Sequence, residues 1–478
     1  MKALTAILLF FLAIPSAIAQ GYHPKIELTN CPIKIGDGVI AKCGYLVVPE
    51  NRQKPGGRQI KIPFVFVRKP AMDTVNNIFL YTTGGPGYST IDNIDQITVN
   101  SGFLKYGGFI AFDQRGTKKS IPSLDCPGID DAIKRSYREH LPKDSLVLQA
   151  IKQCREKLAG QEIDLSAYNT VESAADINDL RLALHIQSMS LVGISYSGGL
   201  MLTVVRNHPQ GIKSLILNSP LPGYVNYEEH GLFNMNEALE QLFANCKADS
   251  SNQVLYGNLK ESFQKYFIEI TGKSFSISYK EKSTGKTFPV QYGKNELLDV
   301  IINRMNALQL KSLPFVITEI IKGRHDYVQE VLDNVFAGNP GYSVGMRFSV
   351  YCTEQIVYSN PELIKKQEEV LPWFAGYTFN DVNHPICECW KVKAENPIVK
   401  TPVYANIPVL LSAGDADPWC RQFYNQLIKR TMPNSQLLLI HNRGHGSGFI
   451  VDGIDYLELF LKNPYQKLTT QTKDLKIE

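Results

Sequence analysis

Three short segments of the 478-residue chain carry side chains able to transfer an acyl group. The first is Leu191-Val-Gly193-Ile194-Ser195-Tyr196-Ser197-Gly198-Gly199. It joins an apolar run to a helix-compatible stretch through a turn crowded with small residues. A serine displayed on such a strand-to-helix turn needs small neighbours two residues away, and the helix N-terminus beside it favours developing negative charge. Ser197, with Ser195 before it and Gly199 after it, satisfies the same pattern. Ser195 is preferred, because Ile194 then completes the strand and Gly193 relieves the crowding.

A hydroxyl is a weak nucleophile, so it needs a base, and the base needs an acid to orient it. Two loops late in the chain supply both. Ala413-Gly414-Asp415-Ala416-Asp417-Pro418 follows one apolar run, and His441-Asn-Arg-Gly444-His445-Gly446 follows the next. His441 abuts its strand and reads as structural. His445 lies between glycines, where the ring can swing to a serine. Asp417 is favoured as the acid because the longer loop extends its reach; Asp415 remains the alternative. A tetrahedral intermediate also needs two backbone N–H donors. Tyr196 supplies one. The loop Thr83-Gly84-Gly85-Pro86-Gly87, between a strand and an expected helix, supplies the other, with Gly85 as the chosen donor.

These loops need elements to hold them. Tyr45–Val48, Ile60–Val67, Asn77–Tyr81 and Phe109–Phe112 are apolar runs bounded by turn residues, which predicts buried strands. Ala174–Leu184 is a helix by its spacing, followed by a strand at Ser190–Ile194, a helix at Gly199–Asn207 and a strand at Ser214–Leu217. The alternation resumes at Ile407–Ser412, Phe423–Lys429, Gln436–Ile440 and Ile454–Leu461. Strands alternating with helices predict an α/β fold with a mostly parallel central sheet. Residues 223–400 break the alternation with helical segments at Glu237–Phe243, Glu296–Ala307, Ser312–Ile321 and Asp326–Val335, and read as an inserted, mainly helical cap. The division is thus a core over 20–222, a cap over 223–400 and the rest of the core over 401–478.

Taken together, these segments resemble the proline iminopeptidase and tripeptidyl aminopeptidase group of α/β-hydrolases, a family of serine peptidases. The resemblance is carried by Gly84-Gly85-Pro86-Gly87-Tyr88-Ser89, Asp113-Gln114-Arg115-Gly116-Thr117-Lys118-Lys119-Ser120, Tyr168-Asn169-Thr170, Gly193-Ile194-Ser195-Tyr196-Ser197, Gly414 to Pro418, and Gly444-His445-Gly446. It departs at Thr83, Lys118, Ser197 and Trp419-Cys420, none of which removes Ser195, Asp417 or His445. It implies the α/β-hydrolase fold and cleavage of peptides near a free N-terminus. Such substrates need an anion for their ammonium group. Glu354, in Tyr351-Cys352-Thr353-Glu354, resembles a family position, and Glu228 and Glu229 are the next candidates. The same triad could serve an esterase or amidase acting on small non-peptide acyl compounds. A fold kept without catalysis is disfavoured by the intact Ser, Asp and His in order.

Composition bounds the rest. Length exceeds a single ordinary core. With 44% hydrophobic and 20% charged residues the chain is a globular one. Its 50 basic and 46 acidic side chains leave a net charge of +4, a balance that gives no reason to expect nucleic acid, which needs a clustered basic face. Lys2, the apolar run Leu4–Ile14 and Ala17-Ile18-Ala19 form a secretory signal pattern, giving a signal peptide over 1–19 and an exported, periplasmic or secreted, product with no membrane span after cleavage. Nine cysteines fit that compartment and leave at least one thiol unpaired. Local closure favours Cys31–Cys43 and Cys126–Cys154. Cys387-x-Cys389 lacks the spacing of a zinc site, and no metal or cofactor is expected.

Overall fold

The computed structural model describes residues 22–70, 77–306 and 308–478. The predicted signal peptide lies outside them. Ten strands form one sheet: β1 (Lys25–Thr29), β2 (Ile40–Pro49), β3 (Gln59–Arg68), β4 (Ile78–Thr82), β5 (Gly108–Phe112), β6 (Met189–Ser195), β7 (Ile212–Pro220), β8 (Val409–Gly414), β9 (Ser435–Ile440) and β10 (Leu475–Ile477). Their order across the sheet is β1-β2-β3-β5-β4-β6-β7-β8-β9-β10. The run from β5 through β9 is parallel, and antiparallel strands close both sides.

The apolar runs are continuous rather than alternating because both faces of the sheet are covered. Leu80, Ile110, Leu191, Leu215, Leu411 and Leu437 enter one buried cluster. Their chain neighbours Phe79, Ala111, Val192, Ile216, Leu410 and Leu438 enter another. Burying a side chain of this size contributes roughly 1.5–3 kcal/mol, so the central strands cannot slip register without exposing two cores.

Helices flank the sheet: α1 (Thr170–Ala183), α2 (Tyr196–Asn207), and, after the long segment, α5 (Gln422–Thr431) and α6 (Tyr456–Lys462). Asn169 caps α1, its side chain accepting from the Glu172 N–H. Between β7 and β8 the chain is mostly helical, and it carries α3 (Val344–Glu354) and α4 (His384–Trp390). It has its own apolar core, built on residues such as Phe263, Phe267, Leu297, Ile301, Leu313 and Phe374. A hairpin, Phe275–Lys280 with Thr287–Tyr292, interrupts these helices.

Two expectations are corrected. No helix follows the Thr83–Gly87 loop directly; turns lead to a short 3-10 helix at Gly102–Lys105. Helices at Pro127–Glu139 and Lys143–Gly160 were not anticipated. Cys31–Cys43 and Cys126–Cys154 are bonded as expected. Cys352, on α3, is also bonded to Cys387, on α4. Three thiols stay free, Cys246, Cys389 and Cys420. Among the described residues no helix is long and apolar enough to cross a membrane.

Candidate active site

The parallel strands end on one edge, and the loops beyond them meet there, as in other open α/β sheets. Thr82 pairs with Gly193, so the loop after β4 leaves the sheet beside the turn after β6. In that turn Ser195 has φ 56° and ψ −129°, a conformation costly for a residue with a Cβ. Small neighbours make it tolerable. A Cβ on Gly193 would stand 2.7 Å from the Ser197 carbonyl oxygen, and one on Gly198 2.5 Å from Pro220 Cβ. Ser197 is fully buried, and its hydroxyl is tied to the backbone N–H and carbonyl of Ile194. Of the two serines, Ser195 alone lines the cavity.

The two acids divide between the two histidines. Asp415 Oδ2 lies 2.7 Å from His441 Nδ1 on the surface. Asp417, fully buried, lies 2.9 Å from His445 Nδ1 through Oδ2. Asp417 Oδ1 accepts the backbone N–H groups of Trp419 and Cys420. Burial opposes protonation of His445. The Asp417 carboxylate and its hydrogen bond, with the neighbouring Cys420 thiol, outweigh that effect and hold the imidazole well above its ordinary range. The Trp419 ring meets the His445 ring edge to face at 5.2 Å. The His445 loop is seated from below as well: His445 N–H donates to the Met305 carbonyl at 3.0 Å.

Ser195 and His445 open on one cavity of about 600 Å³. Cys420 lies between them. Its Sγ is 3.9 Å from Ser195 Oγ, and its thiol is among the neighbours that raise the His445 imidazole. Gly84 and Gly85 line the same cavity. A Cβ on Gly84 would come within 2.7 Å of the Ile194 carbonyl, which shows how closely this loop overlies the turn. Gly85 has φ 117°, a conformation that favours glycine. Tyr196 begins α2, so its N–H has no partner within the helix.

The loop after β5 braces these parts. Asp113 accepts the N–H groups of Thr90 and Ile91 and the hydroxyl of Ser89. Gln114 Nε2 donates to the Thr83 carbonyl at 3.0 Å. Arg115, fully buried, grips Asp176 with two nitrogens at 2.7 and 2.8 Å.

None of the three glutamates named from sequence lines this cavity. Glu354 is buried beneath Tyr196, where it accepts the Thr170 N–H at the start of α1 and borders a small separate cavity. Burial pushes its carboxyl up to about 7. Glu228 lies behind Asn380, from which it accepts a hydrogen bond, and burial likewise pushes it up to about 7. Glu229 accepts the Asn360 N–H and steadies the helix that follows. The carboxylate that does line the cavity is Asp381, paired with Arg347. Both lie in the helical segment between β7 and β8, and neither belongs to a motif that sequence could single out. Cys420 was legible only as a departure after the acid loop.

The family model described as alpha/beta hydrolase fold matches residues 78–449. Among curated proteins, a tripeptidyl aminopeptidase of Streptomyces coelicolor is 25% identical over 225 residues, which is 42% of this chain and 39% of that protein. The serine protease Hip1 of Mycobacterium tuberculosis is 23% identical over 235 residues, 46% of this chain and 44% of Hip1. The chain thus spans about two fifths of the length of these relatives. Among solved structures, an α/β-hydrolase fold protein from Chitinophaga pinensis overlaps with a TM-score of 0.35 at 14% identity, covering 85% of this chain and 92% of that one. With 372 consecutive residues matched from β4 to the loop beyond His445, and with a mostly parallel sheet carrying its candidate nucleophile on a strained turn, the chain belongs to the α/β-hydrolase fold family.

Proposed function

We propose that the chain is an exported serine aminopeptidase that hydrolyses peptides near a free N-terminus through an acyl-enzyme. The observation that carries the serine-hydrolase part of this reading is the Asp417–His445 pair at 2.9 Å, sharing one cavity with Ser195 on its strained turn. The tripeptidyl aminopeptidase and Hip1 names support a peptidase within the fold. Three disulfides support an oxidising compartment. Residues 223–400 act as the cap over the site.

In the first step Ser195 Oγ attacks the substrate carbonyl carbon and His445 Nε2 takes the hydroxyl proton. This requires Oγ to turn from Cys420 toward the imidazole, an adjustment made on substrate binding. Asp417 holds the ring and stabilises the imidazolium. The oxyanion accepts the N–H groups of Gly85 and Tyr196. His445 then gives its proton to the departing amine, leaving the acyl group on Ser195. Water repeats the sequence, with His445 again base and then acid, and frees the acid product.

Peptide specificity needs an anion for the substrate ammonium. Asp381, which lines the cavity and has a side chain about half exposed to solvent, is the carboxylate suited to this role in place of Glu354, Glu228 and Glu229. The position of those three glutamates outside the cavity favours a second reading, an esterase or amidase acting on small acyl compounds with the same triad. A panel of peptide arylamides with free and blocked N-termini, beside simple esters, separates the two. The aminopeptidase reading requires kcat/KM for free N-termini to exceed that for blocked ones by about tenfold or more, the worth of one ion pair of roughly 1.4 kcal/mol. Equal rates on blocked peptides, or turnover of esters alone, would sink it.

A further inference from the structure

Arg347 stands on α3, in the segment between β7 and β8, and lines the cavity of Ser195. All three of its guanidinium nitrogens are engaged. Nη1 donates to the Gly85 carbonyl at 2.6 Å. Nη2 donates to Asn380 Oδ1 at 2.7 Å, and Nε to Asp381 Oδ1 at 2.5 Å. The guanidinium also lies over the Tyr351 ring, 4.4 Å from its centre. A charge in a cavity wall is costly unless it is bonded on every side, and a planar fork suits several partners at once.

Of these partners, Gly85 is the one with a place in the acyl-transfer step itself. Glycine at φ 117° has the freedom to rotate away, and nothing in its own side chain prevents it. The loop is held upstream, where Thr83 N–H donates to Thr90 Oγ1 and the Thr83 carbonyl accepts from Gln114. It is held downstream by main-chain bonds to the segment before α3: Ser343 N–H to the Gly87 carbonyl at 2.9 Å, and Ser89 N–H to the Gly341 carbonyl at 2.8 Å. Those bonds secure the ends of the loop. Arg347 holds Gly85 itself, between them.

We infer that Arg347 is a positioning residue for acyl transfer: from the cap it grips the Gly85 carbonyl and so keeps the Gly85 N–H aimed at the oxyanion formed over Ser195. The inference rests on the serine-hydrolase reading above. It makes this part of the cap a fixed component of the oxyanion site. Because the flanking main-chain bonds remain when Arg347 is removed, its loss disturbs the donor rather than the fold.

The test uses the full chain as wild type, Arg347→Ala and Arg347→Lys. Each is compared for second-order labelling by a fluorophosphonate, whose phosphoryl oxygen enters the same donors, and for kcat and KM on a cleaved arylamide or ester. Arg347→Ala is expected to fold, to lose roughly 10- to 100-fold in labelling rate and kcat, and to change KM for a simple ester, which carries no ammonium to meet Asp381, less than about threefold. Guanidinium ion at non-denaturing concentration should restore part of both rates, which repair of a general packing defect would not do. Arg347→Lys, which keeps the charge without the fork, should fall between. A folded Arg347→Ala labelled at the wild-type rate overturns the inference. If Arg347→Ala does not fold, wild-type rates in Arg347→Lys overturn it equally. A wild type that takes no label overturns the serine-hydrolase reading and this inference with it.

Discussion

The proposed nucleophile is one of two serines two residues apart. Ser197 spends its hydroxyl on the backbone of Ile194, while Ser195 faces the cavity. Ser195→Ala should therefore abolish fluorophosphonate labelling and reduce kcat by about 10⁴-fold or more, whereas Ser197→Ala should keep the label on Ser195. The proposed base has a testable charge. His445 must be neutral to accept a proton in that role, and Asp417 holds its protonated form well above the usual histidine range. The acid limb of kcat/KM is expected above pH 6.5, with activity rising as pH rises through it. Asp417→Asn should move that limb to lower pH and cut kcat by about 10⁴-fold. A limb that does not move would place the titrating group elsewhere.

At the scale of elements, the proposed chemistry depends on loops that approach one another more closely than side chains allow. A Cβ on Gly85 would sit at φ 117° and 2.7 Å from the Tyr88 ring. Gly85→Ala should lower kcat by roughly two orders of magnitude with KM little changed. Steady-state kinetics on the cleaved substrate checks it, and unchanged turnover would assign the second donor to another peptide. The same reasoning explains what was legible. The turn after β6, the Asp417 loop and the His445 loop each follow an apolar run, so their place on the sheet edge could be read from order alone. Helices of the long segment were visible where a stripe was strong, as at Leu313–Ile321. The helix Lys143–Gly160 was missed because it buries little, only Ala150, Ile151 and Leu158, and so carries a weak stripe.

Across the whole molecule, stability couples to pH and to redox state. Glu354 is buried, and its carboxyl is pushed up to about 7 from an ordinary 4.5. The folded chain therefore binds a proton there that the unfolded chain releases between about pH 4.5 and 7. That contribution is full below the unfolded value and is lost as pH rises through 7. Glu354→Gln should raise stability at pH 8, by on the order of 1–3 kcal/mol, and change it little at pH 4.5. Thermal melts at the two pH values would show this. The Cys352–Cys387 bond joins α3 to α4 across 35 residues. Replacing both cysteines by alanine should cost about 3–4 kcal/mol by loop entropy. It should also loosen the helix that carries Arg347, so denaturant unfolding and kcat should fall together.

Residue order determined the strands, the strand-to-helix turn, and the succession of serine, acid and histidine loops, because local patterning sets elements and element order sets the sheet edge on which they end. Order could not rank Asp417 against Asp415 by contact, since both follow the same strand; only packing sent one to His445 and the other to His441. Nor could it find Arg347 and Asp381, which line the cavity only because the helical segment between β7 and β8 packs against loops more than a hundred residues away. The three glutamates offered carboxylates for an ammonium, but none of them lines the cavity of Ser195. Which charges face a cavity is decided by how distant chain segments exclude water, and that is a property of the packed molecule alone.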